Sequence, residues 1–187
     1  MEKIQELFER YSIFIGSSFG EKERCKLFQF IWDHYHQKIA FYISNLISYN
    51  HPGFDDIFQE VMIKIYKNLN TFNPVHSFKA WIYQIARNHC IDFLKSKKEN
   101  VFKPGEIEIE KILDPKTPEK IAFERDMIDE IDNWLGKLNE TDREISYLRF
   151  FENMTYRDIS RILNINPNTV KSKVRLIKKN LNRDLNF

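Results

Sequence analysis

The chain has few of the residues that form tight turns, disulfides and sheets. Among its 187 residues there are only five glycines, six prolines and two cysteines. Cys25 and Cys90 lie far apart and match no metal-ligand spacing, so we expect reduced thiols in a cytosolic protein. Stretches that alternate apolar and polar residues, as half-buried strands do, are also absent, which disfavours a sandwich or a barrel.

Signals for membranes, metals and catalysis are lacking as well. The start MEKIQELFERYSIFIG has neither the basic beginning nor the long apolar run of a signal peptide, and no stretch reaches transmembrane length. His34 and His36 are two residues apart and would diverge on a helix, so no metal or other cofactor is expected. Because there is no clustered carboxylate motif and no glycine-rich phosphate loop, a nucleic-acid enzyme is strongly disfavoured.

Apolar residues are abundant and recur at helical spacing. Hydrophobic residues make up 42% of the chain and aromatic residues 14%, enough to form real cores. Their three- and four-residue spacing predicts an all-α fold with two small helical domains, the second containing four helices. Helices are expected over residues 1–20, 21–49, 55–69, 77–96, 119–135, 141–151, 155–163 and from 167 onward, with a proline-containing acidic linker over 99–118.

Several helix starts have side chains suited to capping. Ser77 is expected to cap the helix that follows it, and three pairs have the spacing of a capping box: Asp56 with Gln59, Thr141 with Glu144, and Thr155 with Asp158. In the stretch NINPNTVKSKV, Asn166 can accept free amides while Pro167 occupies the first helical position, where its missing N–H costs nothing.

The net charge of +2 hides an uneven distribution. Residues 75–98 carry five Lys or Arg against one acid, and residues 170–187 carry six against one. Between them, residues 99–124 carry seven acids against four lysines. Two basic segments separated by an acidic connector suggest two contacts with one polyanion.

The C-terminal basic segment has the organisation of a helix-turn-helix. The predicted helix 155–163, a short turn over 164–166 and the helix from Pro167 follow one another at the required spacing. Residues near the start of such a second helix reach base edges in the major groove, while later cations reach phosphates. The side chains expected to face outward are Asn168, Thr169, Lys171, Ser172, Arg175, Lys178 and Lys179.

Three segments, in order, resemble bacterial RNA polymerase sigma factors of the extracytoplasmic-function (ECF) type of the sigma-70 family. The first is DDIFQEVM at 55–62, and the second is FKAWIYQIARNHCIDFL at 78–94. The third combines TYRDI at 155–159 with TVKSK at 169–173. The resemblance covers residues 25–183 and implies a non-enzymatic, cytoplasmic initiation subunit.

The resemblance also implies partners and sites. Its partners would be the β and β′ subunits of core RNA polymerase, promoter DNA and an anti-sigma factor. The implied organisation is an N-terminal extension over 1–24, sigma domain 2 over 25–98, the linker over 99–118 and sigma domain 4 over 119–187. Implied polymerase contacts are Asp55, Asp56, Gln59 and Glu60; −10 contacts are Asn73, His76, Ser77, Trp81, Tyr83, Arg87, Asn88, Lys95 and Lys97; −35 contacts are Asn168, Thr169, Lys171, Ser172, Lys173, Arg175, Lys178 and Lys179.

The chain departs from the family pattern on its recognition helix. Lys171 and Lys173, like Lys95 earlier in the chain, stand where arginine is usual, and lysine lacks the two-pronged donor geometry for guanine. Leu176 replaces an expected cation. The principal alternative is a helix-turn-helix regulator that acts without core polymerase. Away from polymerase, the two domains are expected to have hardly any preferred arrangement.

Overall fold

The computed structural model describes residues 20–48, 50–73, 75–97, 130–131 and 133–184, and its elements there are helical. This confirms the expected all-α fold. The predicted N-terminal helix, the acidic linker and most of the predicted 119–135 helix lie outside the described residues.

The described residues include six α-helices: α1 (Glu21–Leu46), α2 (Phe54–Asn68), α3 (Phe78–Lys97), α4 (Glu140–Ser146), α5 (Tyr156–Leu163) and α6 (Pro167–Asp184). A 3₁₀ turn (Leu69–Thr71) follows α2, and a π-helical segment (Tyr147–Phe151) follows α4.

Helices α1, α2 and α3 form the first packed unit. Their inward faces repeat at helical spacing, so that Ile39 of α1, Ile57 and Ile65 of α2, and Ile82 of α3 are almost completely buried. The turn between α2 and α3 is held by aromatic packing: the ring of Phe72 lies 5.1 Å from that of Phe78, edge to face. This unit fixes the start of α3 against the preceding loop.

The second unit is built around α4, α5 and α6. Its core includes Ile145, Ile159 and Ile177, all at most 2% exposed. The buried Arg143 guanidinium donates to three carbonyl oxygens of the preceding loop, those of residues 135, 136 and 138, each at 3.1 Å. These bonds satisfy three carbonyl groups and fasten the segment before α4 to that helix.

The predicted helix-turn-helix is confirmed in its backbone. Asn164 closes α5 in the left-handed conformation, with φ of 54°, which asparagine tolerates better than most residues. The Ser160 hydroxyl donates to the carbonyl of Ile165 at 2.7 Å. The Asn166 side chain then accepts from the amide of Asn168 at 2.8 Å as α6 begins at Pro167. The turn therefore sets the angle at which α6 leaves α5.

Two predicted caps are confirmed. Ser77 accepts from the amide of Ala80 at 3.2 Å. Thr155 accepts from the amide of Asp158 at 3.2 Å, while its hydroxyl donates to the Asp158 carboxylate at 2.7 Å. Both helices begin where the sequence predicted.

Two predicted capping boxes are wrong. Helix α2 begins at Phe54, ahead of Asp56, and its N-cap position is Gly53, whose amide donates to the His51 imidazole at 3.0 Å. Helix α4 begins after Asn139, whose side chain accepts from the amide of Asp142 at 3.0 Å. Asparagine ranks among the best caps, so it starts the helix before Thr141 can do so. Glu144 is thereby left inside α4.

The two units pack against each other, which contradicts the expectation that they would lack a preferred arrangement. Helix α5 lies on α3. The ring of Tyr147 stacks on that of Tyr42 at 5.7 Å and lies 5.2 Å from Phe41 and 6.4 Å from Tyr83. In the sequence, each of these aromatic residues has the spacing expected for the core of its own unit. The pattern alone therefore does not predict that they form a contact between the units.

The caps can be tested with a matched pair of threonines. Thr155→Ala should lower the free energy of unfolding by about 1 kcal/mol, since it removes a helix cap. Thr141→Ala should change that free energy by only a few tenths of a kcal/mol, because Thr141 lies inside α4. Chemical denaturation followed by circular dichroism measures both. Equal losses in the two variants would contradict the assigned helix starts.

Candidate nucleic-acid interface

Helix α6 presents a continuous polar and basic surface. Val170, Val174 and Ile177 bury one side of the helix against α4 and α5. The remaining predicted contact residues, apart from Lys173, are exposed: Asn168, Thr169, Lys171, Ser172, Arg175, Lys178 and Lys179. An exposed basic helix held at a fixed angle by a short turn is the geometry that enters a major groove.

Lys173 differs from its neighbours on α6. Its Nζ lies 2.7 Å from Oδ1 of Asp142 on α4, and its side chain is only partly exposed. In this position the ammonium group ties α6 to α4 instead of extending outward with Lys171. Lys171 and Lys173 therefore have different environments, although the sequence predicted a DNA contact for both.

Leu176 interrupts the polar surface of α6. Its side chain is 54% exposed, among the few large apolar residues so placed in the part of the chain that the structure describes. Leu176 lies one helical turn beyond Ser172 and two beyond Thr169, so all three share one side of the helix. The departure from the family pattern thus occurs on a surface that is accessible to a ligand.

The residues predicted to contact −10 DNA fall into three groups. Most are exposed, around the turn before α3 or toward its end: Asn73, His76, Asn88, Lys95 and Lys97. Ser77 and Trp81 are partly buried, and the Trp81 ring lies 5.6 Å from Phe78 and 5.4 Å from Phe72. That packing leaves one part of the indole accessible beside the turn.

Tyr83 and Arg87 form the third group, which the second unit covers. Tyr83 is fully buried. Arg87 donates from Nε to Oε1 of Glu144 on α4 at 2.8 Å. In this arrangement Tyr83 is not available to DNA, and Arg87 is only partly exposed and paired with Glu144. Sequence reasoning placed both on an open surface because it did not foresee the contact between the units.

Glu144 was missed as a residue of interest. It is 4% exposed, and its Oε1 accepts from the hydroxyl of Tyr42 as well as from Arg87. Burial raises the pKa of the Glu144 carboxyl, an effect opposed by the Arg87 charge and by the hydrogen bonds from Tyr42 and Arg87. Since a buried carboxylate requires such partners, the contact is directional. In the sequence, the spacing of Glu144 from Thr141 predicted only a role in a capping box.

A second buried carboxylate lies nearby in the same interface. Lys79 of α3 forms an ion pair with the carboxylate of Glu152, and its Nζ donates to the Glu152 carbonyl at 2.6 Å. The hydroxyl of Tyr147 donates to that carboxylate at 3.2 Å and lies 3.3 Å from the carbonyl of Lys38. Two glutamates of the second unit therefore meet two cations of α3.

The start of α2 offers a separate acidic surface. Asp55, Asp56, Gln59 and Glu60 are all exposed, where acids are also favoured by the helix dipole. Glu60 Oε2 lies 2.8 Å from Nε2 of His89 on α3, which positions that carboxylate. Burial, followed by the nearby Lys64 ammonium, lowers the pKa of His89.

The described ranges contain neither a candidate metal site nor a candidate membrane-spanning helix. No group of three or more His, Cys, Asp and Glu side chains is placed to hold a metal ion. No helix there is both long enough and apolar enough to cross a membrane.

The cysteines should differ sharply in reactivity. Cys25 is exposed, whereas burial, with a smaller contribution from Glu144, raises the pKa of Cys90 to about 12. Since the thiolate is the nucleophile, maleimide at pH 8 should label one thiol per native chain and two after denaturation. Mass spectrometry gives the count, and Cys25→Ser should leave none reactive in the native protein. Fast native labelling of Cys90 would contradict its placement.

Comparison with known protein families divides the chain at the same two units. Residues 31–99 match the family described as Sigma-70 region 2, and residues 128–181 match the one described as Sigma-70, region 4. Relatives include the ECF RNA polymerase sigma factor SigW of Bacillus subtilis, 27% identical over 70% of this chain and 74% of its own length. RNA polymerase sigma factor SigZ of the same organism is 28% identical over 77% and 78%. The ECF RNA polymerase sigma-E factor of Escherichia coli K12 is 24% identical over 82% and 84%.

Two solved structures share the fold. CnrH, in complex with the cytosolic domain of CnrY, has a TM-score of 0.57 at 16% identity, covering 97% of this chain and 96% of its own. Sigma factor RpoE, in complex with the anti-sigma factor NepR from Bartonella quintana, has a TM-score of 0.55 at 18% identity, covering 81% and 89%. The two sigma-70 regions occur in order, the first on the α1–α3 unit and the second on the helix-turn-helix unit. The chain therefore belongs to the sigma-70 family of RNA polymerase sigma factors, and within it to the ECF type.

Proposed function

We propose that this ECF sigma factor binds the β and β′ subunits of core RNA polymerase and reads two promoter elements with separate units. It acts in the cytoplasm as a non-enzymatic subunit, and no cofactor takes part. The observation that carries the proposal is the exposed polar and basic surface of α6, held by its own helix-turn-helix in the region that matches sigma-70 region 4. The domain bounds are 25–98 and 119–187, with an N-terminal extension and a linker outside them.

The second unit reads the −35 duplex. Asn168, Thr169 and Ser172 lie in the first turns of α6, where side chains reach base edges. Lys171, Arg175, Lys178 and Lys179 supply cations for phosphates, an attraction that weakens with salt. Lys173 contributes by fixing α6 to α4 through Asp142.

The first unit reads the −10 element as an opened strand. An extruded base requires an apolar or stacking surface, and its backbone requires cations. Trp81 and the His76 ring provide the stacking surface, Asn73 and Ser77 add hydrogen-bonding groups in the adjoining turn, and Lys95 and Lys97 with Asn88 provide polar contacts along α3. Arg87 joins this surface when its ion pair with Glu144 opens.

The acidic start of α2 docks on the polymerase. Asp55, Asp56 and Gln59 are exposed, and Glu60 is held beside His89. An exposed polar cluster at a helix start can meet a basic surface on a large partner without unfolding either protein. A regulatory partner is expected too, since the relative RpoE is known in complex with an anti-sigma factor.

Transcription in vitro tests the proposal. Core bacterial RNA polymerase lacking any sigma factor should gain promoter-specific start sites on a genomic library when this protein is added. Asp56→Lys should reduce core binding tenfold or more by reversing a charge at the docking surface, while Asp33→Lys, at an exposed acid on α1, should not. Core-independent, tight and specific duplex binding, without start sites, would favour the plain DNA-binding regulator.

The two lysines on α6 provide a finer test. Lys171→Ala should weaken −35 binding and make its salt dependence shallower by about one unit of log–log slope. Lys173→Ala should leave that slope unchanged and instead lower stability by roughly 0.2–1 kcal/mol, because it breaks the ion pair with Asp142. Fluorescence anisotropy across a salt series, with thermal unfolding, separates the two effects. Identical slopes in both variants would contradict this division.

A further inference from the structure

Leu176 is an exposed apolar side chain on a helix surface that is otherwise polar and basic. Its exposed fraction is 54%, while the buried side of α6 is formed by Val170, Val174 and Ile177. With about 3.6 residues per turn, Leu176 lies roughly 130° around the helix from the middle of that buried side. The core of its own unit therefore gives this leucine no partner.

Leu176 continues the row of side chains proposed to read bases. Thr169, Ser172 and Leu176 are all exposed and follow one another at spacings of three and four residues, so they lie along one side of α6. From Thr169 to Leu176 the helix rises by about 10.5 Å. That rise is similar to the width of the major groove, about 12 Å. A groove that receives Thr169 and Ser172 therefore receives Leu176 as well.

The major groove offers an apolar side chain one distinctive partner. The edges of guanine, adenine and cytosine are read through hydrogen-bonding groups, whereas thymine also presents a C5-methyl group. A leucine beside that methyl group buries apolar surface, which is favourable. Beside guanine, the same leucine would exclude water from N7 and O6 without replacing their hydrogen bonds, which is costly. Leucine at this place therefore favours thymine and disfavours guanine.

We propose that Leu176 is a specificity-determining residue of the −35 reader, which packs against the C5-methyl group of one thymine. The inference rests on the proposed function, because it takes α6 as the helix that reads the −35 duplex. Leu176 selects one base pair by apolar contact, while Thr169 and Ser172 read neighbouring pairs through hydrogen bonds. Arg175 and Lys179 on the same exposed surface hold the helix against the phosphates.

Removing single methyl groups from the DNA tests the proposal. A promoter is chosen from the start sites mapped with core polymerase and this protein, and each thymine of its −35 element is replaced in turn by deoxyuridine, which lacks only the C5-methyl group. Loss of one buried methyl should weaken binding of the complete polymerase complex about fourfold at one position. Fluorescence anisotropy with competitor duplexes measures the relative affinities, and the −10 element is the same in every duplex.

Variants at position 176 assign the methyl contact to its side chain. Leu176→Ala shortens an exposed side chain and keeps a strong helix former, so the fold should be retained and the deoxyuridine effect at that thymine should disappear. Leu176→Met keeps an apolar side chain of similar volume and should retain the fourfold effect. Thr169→Ala, two turns earlier on the same side, is the matched control: it should weaken binding but leave the deoxyuridine effect in place.

The outcomes separate this inference from the proposed function. A thymine whose methyl group matters to the wild type and to Leu176→Met, but not to Leu176→Ala, supports both. If promoter-specific start sites are obtained but no thymine shows this difference, the inference is overturned and the sigma function stands. The same holds if Leu176→Ala weakens binding equally to every duplex, because Leu176 then contacts something other than a thymine methyl. If no promoter-specific start sites appear, the proposed function fails and the inference fails with it.

Discussion

The carboxylate of Glu144 determines how the two units of this sigma factor meet. It is buried between them, accepts hydrogen bonds from Tyr42 and Arg87, and has no equivalent partners within its own unit among the interactions described. Because a buried acid without a cation is costly, the units either dock in this register or separate enough to hydrate it. Around this contact, Tyr147 supplies apolar area and Lys79 pairs with Glu152.

The helices themselves were largely predictable from the sequence. Apolar residues at helical spacing indicated every helix that the structure describes, and the helix-turn-helix followed from Thr155, Asn166 and Pro167. Two helix starts were misplaced: α2 begins directly after Gly53, and Asn139 caps α4 before Thr141 is reached. Local rules rank candidate caps, but the loop that enters the helix decides which one is used.

The candidate site was predictable to the extent that it depends on single helices. The exposed surface of α6 and the acids of α2 lie where helical spacing put them. Contacts between the units were not predictable, because nothing in the sequence shows that two distant residues are in contact. Arg87 and Glu144 are 57 residues apart. The same difficulty applies to Lys173 within one unit, because the pattern of α6 alone does not predict its ion pair with Asp142 of α4. Sequence resemblance therefore assigned DNA contacts both to residues that the structure leaves exposed, such as Lys171, and to residues that it buries, such as Tyr83.

The central claim is that the two units of this sigma factor dock in one register, which the buried Glu144 carboxylate determines through Tyr42 and Arg87. The most direct measurement is a distance between spin labels at Lys67→Cys on α2 and Asn182→Cys on α6, both exposed positions, in a Cys25→Ser background. Pulsed electron paramagnetic resonance should give one short, narrow distribution for the free protein. Glu144→Lys should replace it with a longer and broader one, because a second cation then lies beside Arg87. An unchanged short distance in Glu144→Lys would contradict the account.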